Sequence, residues 1–402
     1  MRRGTRKRIP RQGQAPSARA LCVVLAGCLL AAACSTSDAV NIARIASGDT
    51  SAAVNMATGR AVRYATNPSA IMADYKRFKN AIATFRRAVG GTWGERDARE
   101  PQPKQYVKYT DNYLSRASVD FENGRIIVET LDQDAPVTRL REAIVTTLLT
   151  PYDPRAVDMY SSGPVKLGGK PFLQGEVKDE HGHDITNERQ AEAFARRLLA
   201  AGPLERPAQV AGKRVSYVVI PMVTDHMYVR AVKFKPLVEE ASRRFGVPRT
   251  LIYAVIRVES DFNPYAINAV PAVGLMQVVP QSAGAEVYRT LNGRTGEPSK
   301  AFLFDPANNI TYGTAYLSLL GTRHLSGVAD PVSREYCVIA SYNGGSGALL
   351  KTFSADRGKA LAAINTQPPN SVYDAITTRH AAAETRQYLQ KVLAAKKQFV
   401  GL

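Results

Sequence analysis

Strand-type patterning stops near residue 225 of this 402-residue chain, and from there to the end only helical periodicity remains. A chain divided in this way predicts an α+β fold, a mixed amino-terminal part followed by an all-α part, and not a repeating α/β unit. Pro203, Pro207 and Pro221 fall at the change and place a boundary within 205–228. Before it, Tyr75, Phe78, Ile82, Phe85 and Val89 recur at helical spacing, with Gly90-Gly91 as the expected stop. Residues 113–131 alternate about Asn123-Gly124, a strong hairpin signal, and 214–223 read as another strand. Ala191, Phe194, Ala195, Leu198 and Leu199 give a helix capped by Asn187 and ended by Gly202-Pro203. Beyond the boundary, helices are expected at 229–245, 248–260, 307–320, 333–341 and 384–398. There is no internal repeat.

Charge enters through the amino terminus. The chain carries +18, but its first 19 residues hold seven Arg or Lys and no acid; without them about +11 remains. That surplus draws a protein to polyanions: nucleic acid, an anionic membrane or a carboxylate-bearing polymer. After the basic run, residues 20–33 are free of charge, too short to span a bilayer and flanked as a secretory signal is. Cys22, Cys28 and Cys34 lie inside this segment or at its end, which leaves Cys337 alone in the body and makes a structural disulfide unexpected. Leu25-Ala26-Gly27-Cys28 and Ala31-Ala32-Ala33-Cys34 both resemble the lipobox of bacterial lipoproteins. Cys34 follows the better core length and precedes a polar continuation, so it is the expected lipidation site; cleavage without a lipid is the alternative. Ser35 after it points to the outer membrane by the same resemblance. The expected organisation is a signal peptide (1–33), a lipid-anchored tether (34–65), an α+β accessory domain (66–225) and a catalytic domain (226–402).

The chemistry gathers on one helix. Ile252, Val255, Ile256 and Glu259 stand at i, i+3, i+4 and i+7 after Val247-Pro248, which puts Glu259 on the buried face. A carboxyl there is either paired with a cation or has its pKa raised by loss of water, and the second case suits a general acid. A helix-end glutamate that simply reaches solvent is the plainer reading of the spacing. The wider pattern decides against it. Glu259-Ser260-Asp261-Phe262-Asn263-Pro264, Ala272-Val273-Gly274-Leu275-Met276-Gln277 and Ser341-Tyr342-Asn343-Gly344-Gly345 resemble, in order and spacing, the signature motifs of lytic transglycosylases with the goose-lysozyme-like fold. The likeness continues through Phe302 to Pro306, Asn309-Ile310, Gly313 to Leu317, and Thr378-Arg379-His380 into Glu384 to Leu389, blocks similar to those of the membrane-bound murein branch.

That resemblance implies an all-α lysozyme-like catalytic domain that cleaves peptidoglycan between N-acetylmuramic acid and N-acetylglucosamine, leaving 1,6-anhydromuramic acid ends. It implies Glu259 as the catalytic acid and base, and Ser260, Gly274, Met276, Gln277, Tyr342, Asn343 and Tyr388 as substrate-binding positions. Asn268 stands where the family commonly has Ser, near the sugar's acetamido group, and its amide can still donate and accept. No cofactor and no metal are implied. The partners expected are glycan strands and the outer membrane, with wall-synthesis or division proteins as further candidates and no role for nucleic acid. A lysozyme-type hydrolase and a non-catalytic peptidoglycan-binding lipoprotein are the rival readings. Residues 66–225 show no catalytic constellation, so a fragment beginning near 225 is expected to keep some lysis. His181-Gly182-His183 lacks further spaced ligands and reads as a solvated turn, Gly168-Gly169-Lys170 lacks the rest of a phosphate loop, and Cys337 reads as an inert buried thiol.

Overall fold

The computed structural model describes residues 68–268 and 272–402, so Cys34, Cys28 and the tether lie outside the described residues. The chain runs through α1 (Pro68–Trp93), β1 (Gln105–Thr110), β2 (Ser115–Asp120), β3 (Arg125–Thr130), α2 (Pro136–Leu148), α3 (Glu188–Leu198), β4 (Leu204–Pro207) and β5 (Arg214–Pro221). These strands make one antiparallel sheet in the order β1-β2-β3-β5-β4. The expected hairpin is β2 and β3, in register from Asp120↔Arg125 to Ser115↔Thr130. Its loop turns through Gly124, which is left-handed at φ 62, and the Asp120 carboxylate accepts from the Asn123 backbone N–H. Asn187 caps α3 by accepting from Gln190 N at 3.1 Å. The helix α1 does not stop at Gly90-Gly91. It runs on to Trp93, which is 1% exposed and donates its indole N–H to the Tyr113 carbonyl at 2.7 Å. Burying that ring gains more than two interior glycines cost, about 1 kcal/mol each.

The rest is helical: α4 (His226–Lys233), α5 (Lys235–Phe245), α6 (Arg249–Ser260), α7 (Ala285–Asn292), α8 (Lys300–Leu303), α9 (Pro306–Leu319), α10 (Pro331–Gly344), α11 (Ser346–Lys351), α12 (Arg357–Asn365), α13 (Pro369–Arg379) and α14 (Ala383–Lys396). The expected helix over 229–245 is therefore two, broken at Phe234, because Pro236 in the first turn of α5 has no N–H to continue the ladder. The fold is α+β. In the helical core α6 packs along α14 and is buried at Leu251, Ile252, Tyr253, Ala254, Val255 and Ile256. Both halves belong to one compact unit, and the seam between them is buried. Tyr265, from the helical half, sits with its ring 5.1 Å from Tyr106 and 5.3 Å from Phe172 and donates its hydroxyl to the Pro151 carbonyl. Arg230, 2% exposed, binds Glu176 at 2.7 Å and reaches the carbonyls of Phe121 and Asp261.

Candidate active site

Glu259 is the penultimate residue of α6, and the helix ends there for a local reason. Asp261 is left-handed at φ 52 and caps it, its N–H returning to the Arg257 carbonyl at 3.2 Å. The Asp261 carboxylate then turns inward, fully buried, between Lys104 at 3.2 Å and Arg257. Glu259 faces the other way, into a cleft of about 600 Å³. Surrounding protein strips water from its carboxyl and pushes the pKa up to about 7; the neighbouring Glu384 charge pushes the same way, while a hydrogen bond from Tyr388 and the charge of Lys104 pull it down. The Tyr388 hydroxyl donates to Glu259 Oε1 at 2.7 Å. Burial and the Glu259 charge hold the hydroxyls of Tyr388 and Tyr342 protonated, well above the usual range. Each is thus a fixed donor.

Of the residues expected from sequence, Glu259, Asn268, Gln277, Tyr342, Asn343 and Tyr388 meet on the wall of this cleft. Ser260, Gly274 and Met276 do not. Ser260 is fully buried, and its hydroxyl is spent on the carbonyls of Leu275 at 2.7 Å and Ile256 at 3.1 Å. Met276 lies wholly within the helical core, with its carbonyl facing the site and accepting from the Tyr342 hydroxyl at 2.8 Å. Gly274 does permit close backbone approach, but the approaching group is protein: a Cβ there would stand 2.2 Å from Asn309 Nδ2 and 2.9 Å from the Leu303 carbonyl, and its φ is +75. These three shape the cleft from behind instead of lining it.

Asn309 organises that rear wall. Fully buried on α9, it donates to the carbonyls of Val273 and Leu303 at 2.8 Å each and accepts from Met276 N at 2.8 Å. Asn343 is held in turn by Thr385, whose hydroxyl donates to its Oδ1 at 2.7 Å. Gln277, itself left-handed at φ 46, fastens its amide to the Gly274 carbonyl at 2.9 Å.

Several cleft residues escape the sequence reading. Glu384 and Lys391 line it from α14, four residues before and three after Tyr388; that spacing puts all three on one helix face and was a usable signal. Gln102, Lys104, Gln105 and Glu122 come from the α+β half, and no local pattern announces them. Asn263, buried after α6, holds the 102–105 segment in place by donating to the Pro103 carbonyl at 2.9 Å. Elsewhere, Cys337 is buried, its thiol pushed up to about 12 by loss of water. The rings of His181 and His183 are exposed on a turn whose two backbone N–H groups donate to Asp179.

Two family models match the chain. One, described as "Membrane-bound lytic murein transglycosylase C, N-terminal domain", matches residues 71–233; the other, "Transglycosylase SLT domain", matches 236–365. A Haemophilus ducreyi protein named membrane-bound lytic murein transglycosylase C is 42% identical over 318 residues, covering 79% of this chain and 85% of its own. Its namesake in Yersinia pestis is 42% identical over 327 residues, covering 81% and 90%. The solved 70 kDa soluble lytic transglycosylase of Escherichia coli is 25% identical with a TM-score of 0.34, the match covering 44% of this chain and 26% of that one.

Proposed function

The chain belongs to the family of membrane-bound lytic murein transglycosylase C and is a lytic murein transglycosylase acting on peptidoglycan; on that premise we propose that Glu259 alone supplies both the acid and the base of the cleavage. What carries this reading is a carboxyl poised near neutrality on the cleft wall, with Tyr388 on one oxygen and the second free to carry the proton. The proton passes to the oxygen between N-acetylmuramic acid and N-acetylglucosamine, and the bond from the muramic anomeric carbon to that oxygen breaks. The substrate's own acetamido oxygen supports the anomeric carbon. Glu259, now ionised, takes the proton of the C6 hydroxyl as that oxygen closes on the same carbon. No water is consumed, and the end formed is 1,6-anhydromuramic acid; an internal hydroxyl so placed has a high effective concentration. Asn268, Gln277, Tyr342 and Asn343 are the sugar contacts in this reading, and Ser260, Gly274 and Met276 keep them in position.

One observation favours a second outcome. Glycosidases that hydrolyse use two carboxyls, and Glu384 and Glu122 share the cleft with Glu259. Mass spectrometry of muropeptides released from purified sacculi separates the two. Internal closure gives products one water lighter than a lysozyme's that resist borohydride; a reducible majority would mean that Glu384 or Glu122 activates water.

The relatives are membrane-bound by name, and among the described residues no helix is long and apolar enough to cross a membrane. We infer a lipid on Cys34, with 34–65 as the tether, on an outer membrane facing the periplasm, because the apolar run ends there against a polar continuation. Cys34→Ala should release the protein from the membrane fraction or block its maturation, and Cys28→Ala should change little. The reverse pattern would move the anchor to Cys28.

A further inference from the structure

A second cavity, of about 590 Å³, adjoins the Glu259 cleft across Gln102, Pro103, Gln105 and Asn268. Its charged lining comes from the α+β half: Arg86, Arg99 and Glu100. Arg86 is spent, bidentate on Glu100 at 2.7 and 2.9 Å. Arg99 is not. The carboxylate it approaches, Glu129, is 2% exposed and has each oxygen occupied, Oε2 by Arg116 at 2.7 Å and Oε1 by Arg206 at 3.1 Å. Arg99 reaches Oε2 at 3.7 Å, outside hydrogen-bond distance, and so stands as a third cation on a saturated anion. Its backbone cannot swing away, since the Tyr109 hydroxyl accepts from its N–H at 3.0 Å and donates to its carbonyl at 3.1 Å. Loss of water and the nearby Arg116 charge both lower its pKa, against the pull of Glu129. A guanidinium fixed beside a cavity with its donors unspent is built for a planar anion.

The glycan strand in the neighbouring cleft consists of neutral N-acetylated sugars and has no use for such a group, but each muramic acid carries a short peptide with free carboxylates. Three residues of that peptide span up to about 10 Å, enough to leave the cleft and enter the adjoining cavity. Resting on the transglycosylase reading, we propose that this second cavity seats the stem peptide of the strand being cut, with Arg99 taking one of its carboxylates. The α+β half then selects strands by their peptides while the helical half cuts the sugar chain.

The test compares kcat/KM on soluble glycan strands bearing tripeptides with that on the same strands after the peptide carboxylates have been converted to amides. Arg99→Gln should lower the ratio of the two about tenfold, the loss expected of one charge-assisted hydrogen bond. Arg99→Lys should recover part of it. Glu100→Gln frees Arg86 without touching the Glu129 network, and should raise the ratio, which keeps the proposal testable if Arg99→Gln folds poorly. A ratio that stays at the wild-type value in Arg99→Gln, or one that falls in Glu100→Gln, overturns the proposal. If the wild-type protein forms no anhydro ends from either strand, the transglycosylase reading fails and takes this inference with it.

Discussion

At Glu259 one physical fact sets both activity and stability. Its pKa rises from 4.5 to about 7, chiefly because the fold removes water from the carboxyl. The folded state therefore binds the proton more tightly than the unfolded chain, and stability falls as pH rises from about 4.5 through 7. Gln does not titrate, so Glu259→Gln should match the wild-type melting midpoint near pH 4 and exceed it at pH 8, by up to about 3 kcal/mol in unfolding free energy. The same variant should lose lytic activity by at least about a hundredfold, having no proton to give. Denaturant unfolding at the two pH values, with muropeptide release alongside, checks both; equal stability offsets at pH 4 and 8 would show that the carboxyl is not desolvated. Tyr388→Phe acts with the opposite sign on the proton. It removes the hydrogen bond that holds the pKa down, so the alkaline limb of the kcat/KM profile should move to higher pH even as the maximum rate drops. A limb that stays put or moves down would remove Tyr388 from the tuning of Glu259.

The elements show why part of the site was legible and part was not. The 3.6-residue period placed Glu259 on the right face of α6, and the Asn123-Gly124 and Asn187 signals found β2, β3 and α3, because each depends on neighbours in sequence. The strand β1 and the helix α2 carry no comparable signal; β1 is fixed by burial against residues far along the chain, as with Tyr106 beside Phe172 and Tyr265, and α2 by packing on β2, β3 and α3. Ser260 and Met276 are substrate positions only by the family resemblance, which does not say which way a side chain points, and successive residues on a helix or turn face different ways. In this fold they join α6, the 272–278 turn and α10, and Asn309 is the joint on the far side. Asn309→Ala would strand Met276 N and the Leu303 carbonyl, while the Val273 carbonyl would keep only the Val278 N–H at 3.1 Å. At about 1 to 3 kcal/mol for each of the two groups stranded, the loss should total at least about 2 kcal/mol. Activity should fall further than the folded fraction does, since Tyr342 hangs from the Met276 carbonyl. A variant with a wild-type melting midpoint and normal turnover would show that the turn holds itself.

For the whole molecule, sequence pattern suggested two domains that could be parted, with lysis surviving in a fragment from about residue 225. The packing argues for the opposite outcome. Five residues of the α+β half, Gln102, Pro103, Lys104, Gln105 and Glu122, line the cleft, so its removal takes away one wall. It also unpairs buried charge. Arg230 and Lys233 both bind Glu176, and Asp261, at the end of α6, keeps Arg257 but loses Lys104. The freed charges would be rehydrated, but the apolar seam would face water at about 25 cal/mol per Å², against about 5 to 15 kcal/mol for a whole folded domain. Tyr265 would lose the aromatic socket of Tyr106 and Phe172 as well as the Pro151 carbonyl that takes its hydroxyl proton. A fragment of residues 226–402 should accordingly show no cooperative thermal transition, weak near-ultraviolet dichroism and no release of muropeptides, whereas the chain from residue 68 should melt cooperatively and cut sacculi. A fragment that melts cooperatively and keeps a tenth or more of the full chain's lysis would mean that the seam adds to a helical domain already complete, and that the wall supplied by Lys104 and its neighbours guides substrate without being needed for the cut.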